Sequence, residues 1–218
     1  MRGWFAMDKN QMQAMIAERA AKELKGPLTV NLGIGIPNLI PDYLHDDQVY
    51  MHTENGMLGI GPADPDNIDP NLINSGKSPV SEMPGASFFD SAQSFAMIRG
   101  HHVDAAVLGV LQVDQTGRIA NWSVPGKDII GVGGAMDLLE GAKRVICTMT
   151  HTAKNGDPKI LKECTYPLTS QRRVDMVITE LAVFHFKDGK MYLTELMPGV
   201  TLEKVIEKTE AEFIVALN

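Results

Sequence analysis

Leu28-Thr29-Val30-Asn31-Leu32-Gly33-Ile34-Gly35-Ile36-Pro37 and Val49-Tyr50-Met51-His52-Thr53-Glu54-Asn55-Gly56 are the two stretches that decide the fold. The first is a short apolar run that breaks at two glycines and reaches a proline suited to a helix's first turn, beyond which Leu39, Ile40, Tyr43 and Leu44 follow at helical spacing. The second is a β-branched and aromatic run that ends in turn residues. Strand, loop, helix and strand in that order predict parallel strands joined by a right-handed crossover. The expected fold class is α/β, an open α/β/α sandwich with a largely parallel sheet.

In such a sheet the rim at the strands' carboxyl ends is where ligands bind, and Glu54 falls there. Asn55-Gly56 tolerates positive φ, and glycines 56, 59 and 61 predict a bare backbone along which a ligand approaches the carboxylate. From spacing two readings stay open: a carboxylate that attacks a bound ligand, or a hairpin turn with a solvated glutamate, since Asn-Gly is the strongest short hairpin signal. His52 shares a strand face with Glu54, and a packing role is the simpler reading for it. Gly33 and Gly35 suit anion binding by helix N–H groups, but Asn38 stands where a dinucleotide fingerprint has glycine or alanine, so NAD is not expected.

Outward from this unit, Met12, Ile16, Ala20 and Leu24 mark a helix from Lys9 to Lys25, stopped by Gly26-Pro27. Pro62 to Pro84 reads as a long loop over the site. A helix begins near Asp90 and carries Phe95, Ile98 and Arg99, and Val103 to Val113 reads as one buried strand. Gln115-Thr116-Gly117 turns the chain, and glycines 131, 133 and 134 lead into a short helix around Met136 to Leu139. Strands are expected at Arg144–Met149 and Val174–Thr179, then a hairpin of Leu181–Phe186 and Met191–Leu196, and a helix Leu202–Thr209 capped by Thr201.

With 218 residues, 44% hydrophobic and 22% charged, one domain over residues 1–218 is expected, with 1–8 a disordered or extraneous start and Met7 the natural first residue. A net charge of -7 without a basic stripe excludes nucleic acid as a partner. No apolar run reaches membrane-helix length and nothing resembles a secretory leader, so no membrane partner and a cytoplasmic location are expected. Cys147 and Cys164 read as small buried residues, not a disulfide or zinc site, and the histidines lack metal-ligand spacing, so no metal is expected.

Thr53-Glu54-Asn55-Gly56-Met57-Leu58-Gly59-Ile60-Gly61-Pro62 is similar to the catalytic Ser-Glu-Asn-Gly segment of the β subunit of family I coenzyme A transferases, which include 3-oxoacid and acetoacetate CoA-transferases. Further segments match in family order: Val30–Pro37, Leu72–Lys77, Pro84–Phe89, Ser94–Gly100, Leu111–Asp114, Ala120–Trp122, Val124–Lys127, Gly133–Asp137, Pro167–Thr169 and Thr179–Phe184. The resemblance runs from about residue 10 to the end. His101 departs from it, standing where the family has glycine.

The resemblance implies a CoA-transferase-like fold and a ping-pong transfer of coenzyme A between an acyl-CoA, such as succinyl-CoA or acetyl-CoA, and a short-chain acid such as acetoacetate. Glu54 is then the catalytic carboxylate that carries coenzyme A as a glutamyl thioester, with no other cofactor. Gly134 aligns with the family's oxyanion position and Lys77 with a lysine that contacts coenzyme A. Gly133, Asn55 and Gly56 fall beside these as expected substrate-binding residues. Coenzyme A is polyanionic, so Lys77, Arg99, Lys127 or a partner must supply attraction. The implied partner is a separate α subunit in an α2β2 assembly. Two competing classes are a non-catalytic regulatory subunit of the same fold and a sugar-phosphate isomerase; scattered basic residues speak against the latter.

Overall fold

The computed structural model describes residues 7–127, 129 and 131–217. Helix α1 (Lys9–Ala21) is capped by Asp8, whose side chain accepts from the Gln11 N–H while the Gln11 side chain accepts from the Asp8 N–H. Residue 8 therefore belongs to the fold and not to a loose start; the expectation for 1–6 lies outside the described residues. The helix ends at Ala21, short of Lys25, and buries Ile16, Ala17, Ala20 and Ala21, while Leu24 is buried from the turn beyond.

Strand β1 (Leu28–Leu32) leads to a 3-10 helix, Ile36–Tyr43, where the pattern predicts an α-helix. Pro41 inside it has no N–H to donate, which favours this tighter, shorter form. Strands β2 (Val49–Thr53) and β3 (Met57–Gly61) form a hairpin, and β4 (Ser81–Phe88) pairs antiparallel with β3. The loop expected up to Pro84 thus ends at Val80. β4 lies at the sheet edge with mostly exposed side chains, so no apolar alternation announces it.

Asp90 caps α2 (Ser91–Arg99), which is followed by β5 (Ala105–Gly109) and β6 (Gln112–Asp114). The single strand expected over 103–113 is two strands in different sheets. It breaks where Gly109 passes the Ile34 carbonyl so closely that an added Cβ would lie 2.7 Å from its oxygen. The remaining elements are β7 (Ile119–Ala120), α3 (Ala135–Gly141), β8 (Arg144–Thr148), β9 (Ile160–Leu161), β10 (Met176–Ile178), β11 (Ala182–Lys187), β12 (Lys190–Leu196), α4 (Leu202–Lys208) and β13 (Ile214–Val215).

Ten strands make one sheet in the order β13-β12-β11-β10-β8-β5-β1-β2-β3-β4, and β7-β6-β9 make a small second sheet. β10, β8, β5, β1 and β2 run parallel at the centre, and antiparallel hairpins extend both flanks. The central strands are buried on both faces. Ala105 and Val107 of β5 join Ile16, Val30 and Ile40 under α1 and the 3-10 helix, while Ala106 and Leu108 join Ile98, Leu138 and Val205 under α2, α3 and α4. The α/β/α sandwich with a mostly parallel sheet is therefore observed.

Cys147 is fully buried and Cys164 half-buried; desolvation pushes the first thiol well above its usual range and the second up to about 12, so both stay protonated packing groups. His101 adopts φ 60°, a conformation that suits the glycine it replaces, and its Nδ1 lies 2.8 Å from the Gly141 carbonyl oxygen. No helix among the described residues is long and apolar enough to cross a membrane.

The fully buried His151 holds the carboxyl ends of β8 and β10 to α4, its Nδ1 3.0 Å from Thr179 Oγ1 and its Nε2 2.9 Å from Thr209 Oγ1. Desolvation, with the nearby Lys159 adding to it, lowers its pKa from 6.5 to about 3. Between those values the unfolded chain binds a proton that the native protein refuses, so this contribution to stability is complete above 6.5 and declines as pH falls towards 3. By pH 5 the loss from this residue reaches about 2 kcal/mol, from about 1.5 units at 1.36 kcal/mol each. Urea unfolding at pH 7 and pH 5 should show that decline, and His151→Gln, less stable at pH 7, should show a shallower one.

Candidate active site

Parallel pairing of β1 and β2 sets Asn31 beside His52, which places both side chains on one face of the sheet; Glu54, two residues on, follows at the strand end. The chain turns at once, with the Gly56 N–H donating to the Thr53 carbonyl at 3.0 Å. Thr53 Oγ1 donates to Asn55 Oδ1 at 2.6 Å, and Asn55 Nδ2 donates to the Ile73 carbonyl at 2.8 Å, which ties the loop of residues 62–80 to the turn. The hairpin and the rim carboxylate, open alternatives in the sequence, are one object.

Glycines 56, 59 and 61 serve a different purpose from the bare ligand path expected of them. Gly56, at φ 125°, packs so tightly on Phe89 that an added Cβ would overlap its carbonyl oxygen, while Gly59 faces Ala86 and Gly61 faces Ser81. They let β4 lie close on β3. The Gly56 carbonyl also accepts from the Phe89 N–H at 3.0 Å, joining the turn to the start of α2.

Asn31 Nδ2 lies 3.1 Å from Glu54 Oε2 and 3.1 Å from His52 Nδ1. An ionised carboxylate only accepts, so the amide presents its NH2 and not its oxygen to Glu54. Its second N–H then points at His52 Nδ1, which must carry the lone pair; the ring proton sits on Nε2, 3.1 Å from Ser94 Oγ of α2. His52 is buried and stacked on Phe89 with ring centroids 5.8 Å apart, and desolvation lowers its pKa to about 4, so it is neutral at physiological pH. Asn31 is itself fully buried, and its Oδ1 has no hydrogen-bond partner among the described residues. An orphaned acceptor of this kind costs about 1–3 kcal/mol.

Gly134, which precedes α3 at φ -80°, completes the near wall: a Cβ there would stand 3.4 Å from Glu54 Cγ, 3.5 Å from Glu54 Oε1 and 3.5 Å from Phe95 Cζ. Gly133 beside it has φ 56° and open space where a side chain would be. Four expected site residues, Glu54, Asn55, Gly56 and Gly134, are thus brought together at one point of the carboxyl rim. Lys77 is exposed on the tight turn Asn74–Ser78 at φ 62°, on the same loop that Asn55 grips. Arg99 is paired with Asp137 at 2.6 Å and lies over Phe95, which leaves Lys77 and the exposed Lys127 as the more available cations. Asn31, Ser94 and Phe95 were legible only as segment members. For Asn31 the usable signal is an amide amid the apolar residues of a two-face-buried strand.

A family model described as coenzyme A transferase matches residues 13–208. This chain belongs to the coenzyme A transferase family. It is 52% identical over 206 residues to one subunit of the probable succinyl-CoA:3-ketoacid coenzyme A transferase of Bacillus subtilis (strain 168), covering 92% of this chain and 94% of that one. To the beta subunit of the acetate CoA-transferase of Escherichia coli (strain K12) it is 53% identical over 204 residues, covering 93% and 94%. Among solved structures it resembles the acyl-CoA transferase YdiF apoenzyme of Escherichia coli O157:H7, with TM-score 0.76 and 25% identity; the match covers 99% of this chain but 45% of YdiF. The family resemblance seen in the motifs is borne out.

Replacing Gly56 by alanine should both strain the positive-φ turn and push on the Phe89 carbonyl, costing about 2–4 kcal/mol. Thermal unfolding of the Gly56→Ala variant checks this, with a melting temperature at the wild-type value as the contrary result.

Proposed function

We propose that this chain is the catalytic β subunit of a two-subunit coenzyme A transferase and that Glu54 carries coenzyme A during each turnover. The Glu54 carboxylate attacks the acyl-CoA carbonyl; the carbon–sulfur bond breaks, coenzyme A leaves as thiolate and an acyl-glutamyl anhydride remains. The thiolate then attacks the Glu54 carbonyl, forming the glutamyl thioester and releasing the first acid as its carboxylate. A second acid reverses both steps, so charge and the thioester's free energy are conserved without ATP or a further cofactor.

One observation supports this reading most: a half-buried glutamate at the carboxyl rim of a parallel sheet, with a side-chain amide donating to one carboxylate oxygen and a glycine backbone against the other. Both tetrahedral adducts carry an oxyanion at the Glu54 or acyl carbon. Backbone N–H groups at Gly133 and Gly134 are the donors we assign to it, and each such donor lowers the barrier by about 3 kcal/mol in a dry site. Lys77 is the assigned contact for coenzyme A. The named transfers of the relatives support short-chain acids, a 3-oxoacid or acetate, as the substrate class.

A partner is part of this proposal. Relatives of the same length are each named as one subunit of their enzyme, and the chain spans less than half of YdiF, which supports an α subunit, in α2β2, that supplies the rest of the site. A regulatory subunit of this fold would have no use for a glutamate aimed by a buried amide, and an isomerase would need phosphate-binding cations around it.

In the assembled complex, Glu54→Gln should lower turnover by about 10⁴-fold or more while leaving the melting temperature in place, as loss of a covalent nucleophile does. Mass spectrometry of the wild-type complex incubated with acyl-CoA should show a hydroxylamine-sensitive adduct on the Glu54 peptide; an unmodified peptide under turnover overturns the reading. Gly134→Ala fits the free chain, since its φ is ordinary and its Cβ makes no overlap. It should fold normally and still lose about tenfold or more in kcat, because the methyl group occupies the space in which the Glu54 adduct forms. This chain purified without an α subunit should show no acyl exchange, and robust turnover would refute the partner.

A further inference from the structure

The geometry points to His52 as a positioning residue: the lone pair on its Nδ1 holds one N–H of the Asn31 amide, and this aims the other at Glu54 Oε2. The inference rests on the reading of Glu54 as the covalent nucleophile and extends it to residues that never meet substrate.

Three observations carry it. First, the chain of contacts is continuous and its donors are set outward from the Asn31 amide: one N–H goes to Glu54, the other to His52 Nδ1, and His52 Nε2 donates in turn to Ser94 Oγ, with heavy-atom separations of 3.1 Å at every link. The carboxylate at one end dictates the orientation of the amide, and the amide dictates the tautomer of the ring. Secondly, the ring has no freedom to serve otherwise, because it is buried, stacked on Phe89 and hydrogen-bonded through both nitrogens. Thirdly, Asn31 leaves its own Oδ1 without a partner among the described residues although it is fully buried. An apolar residue would fill that place in β1 without an orphaned acceptor, so the amide's value lies in what its NH2 group holds.

The chemical consequence is a carboxylate with one oxygen occupied and the other left as the attacking atom. Asn31 donates to Oε2, and Oε1 faces Gly134, on the side where an acyl carbon would be met. The neutral ring matters because an imidazolium would have a proton on Nδ1 and would turn the Asn31 NH2 away; burial keeps the ring neutral down to about pH 4. His52 thereby fixes which oxygen reacts, without taking up or giving a proton in the cycle.

The test uses the assembled complex and follows both steady-state kinetics and the Glu54 adduct by mass spectrometry. His52→Leu keeps apolar volume and removes the acceptor; His52→Asn places a carbonyl oxygen where Nδ1 stood. We expect His52→Leu to lower kcat by about tenfold to a hundredfold with KM changed less than about threefold, and His52→Asn to restore kcat to within about threefold of wild type. Adduct formation in single turnover should slow in parallel with kcat. Wild-type kcat in His52→Leu, or equal losses in both variants with a common fall in melting temperature, would show that the histidine only fills space. Should His52→Leu fail to assemble, Ser94→Ala decides: it leaves the buried ring N–H without its acceptor, so beside a modest fall in melting temperature kcat measured well below that temperature should drop severalfold, and an unchanged kcat overturns the assignment. An unmodified Glu54 peptide in the wild-type complex is a separate result, which removes the covalent reading itself and not the hydrogen-bond chain.

Discussion

The parallel register of β1 on β2 is the constraint from which the site follows. It sets Asn31 opposite His52 on one face and brings the carboxyl ends of both strands to the same rim, so that an amide from one strand meets the carboxylate carried just beyond the other. A slip by one residue would send Asn31 into the core shared by α1 and Val30, and would leave Glu54 with no donor from β1. The apolar residues on either side of Asn31 resist that slip, because Val30 and Leu32 pack against the α1 layer. Core packing and the geometry of the candidate site are therefore specified by the same alternation.

Glycines hold the remaining parts in place by letting backbone meet backbone. Gly56 lets the turn after Glu54 rest on the Phe89 carbonyl, Gly109 lets β5 pass the loop after β1, and Gly141 brings α3 against the Ile98 carbonyl of α2. α2 then carries Ser94 to His52, and the start of α3 sets Gly134 against Glu54 and Phe95. The helices above the rim are held by close approaches as well as by the apolar cluster of Ile98, Leu138 and Leu139.

How much of this was readable in the chain depends on what each residue touches. The central strands, the capped helices at Asp90 and Thr201 and the hairpin through Lys187–Lys190 rest on local patterns, and they stand where those patterns put them. β4 and β13 are edge strands with exposed side chains, and their only support is the neighbouring backbone, which leaves no periodic trace. The split between β5 and β6 turns on the Gly109 contact with Ile34, far away in sequence. In the site, Glu54 and Gly134 were marked by motifs. Asn31 and Ser94 act through partners 23 and 42 residues away, and separations of that kind become visible only once the sheet register is known.

The staple between Gly56 and Phe89, in which each residue's backbone grips the other, bears on how the proposed cycle can move. The Cα of Glu54 sits in a turn fastened to β2 below, to α2 on one side and through Asn55 to the loop on the other. A nucleophile so moored has only its side-chain torsions with which to swing between free, anhydride and thioester forms. Long pantetheine arms must therefore travel to a stationary hub, and the economy of the reaction lies in rotating three bonds and leaving the scaffold still.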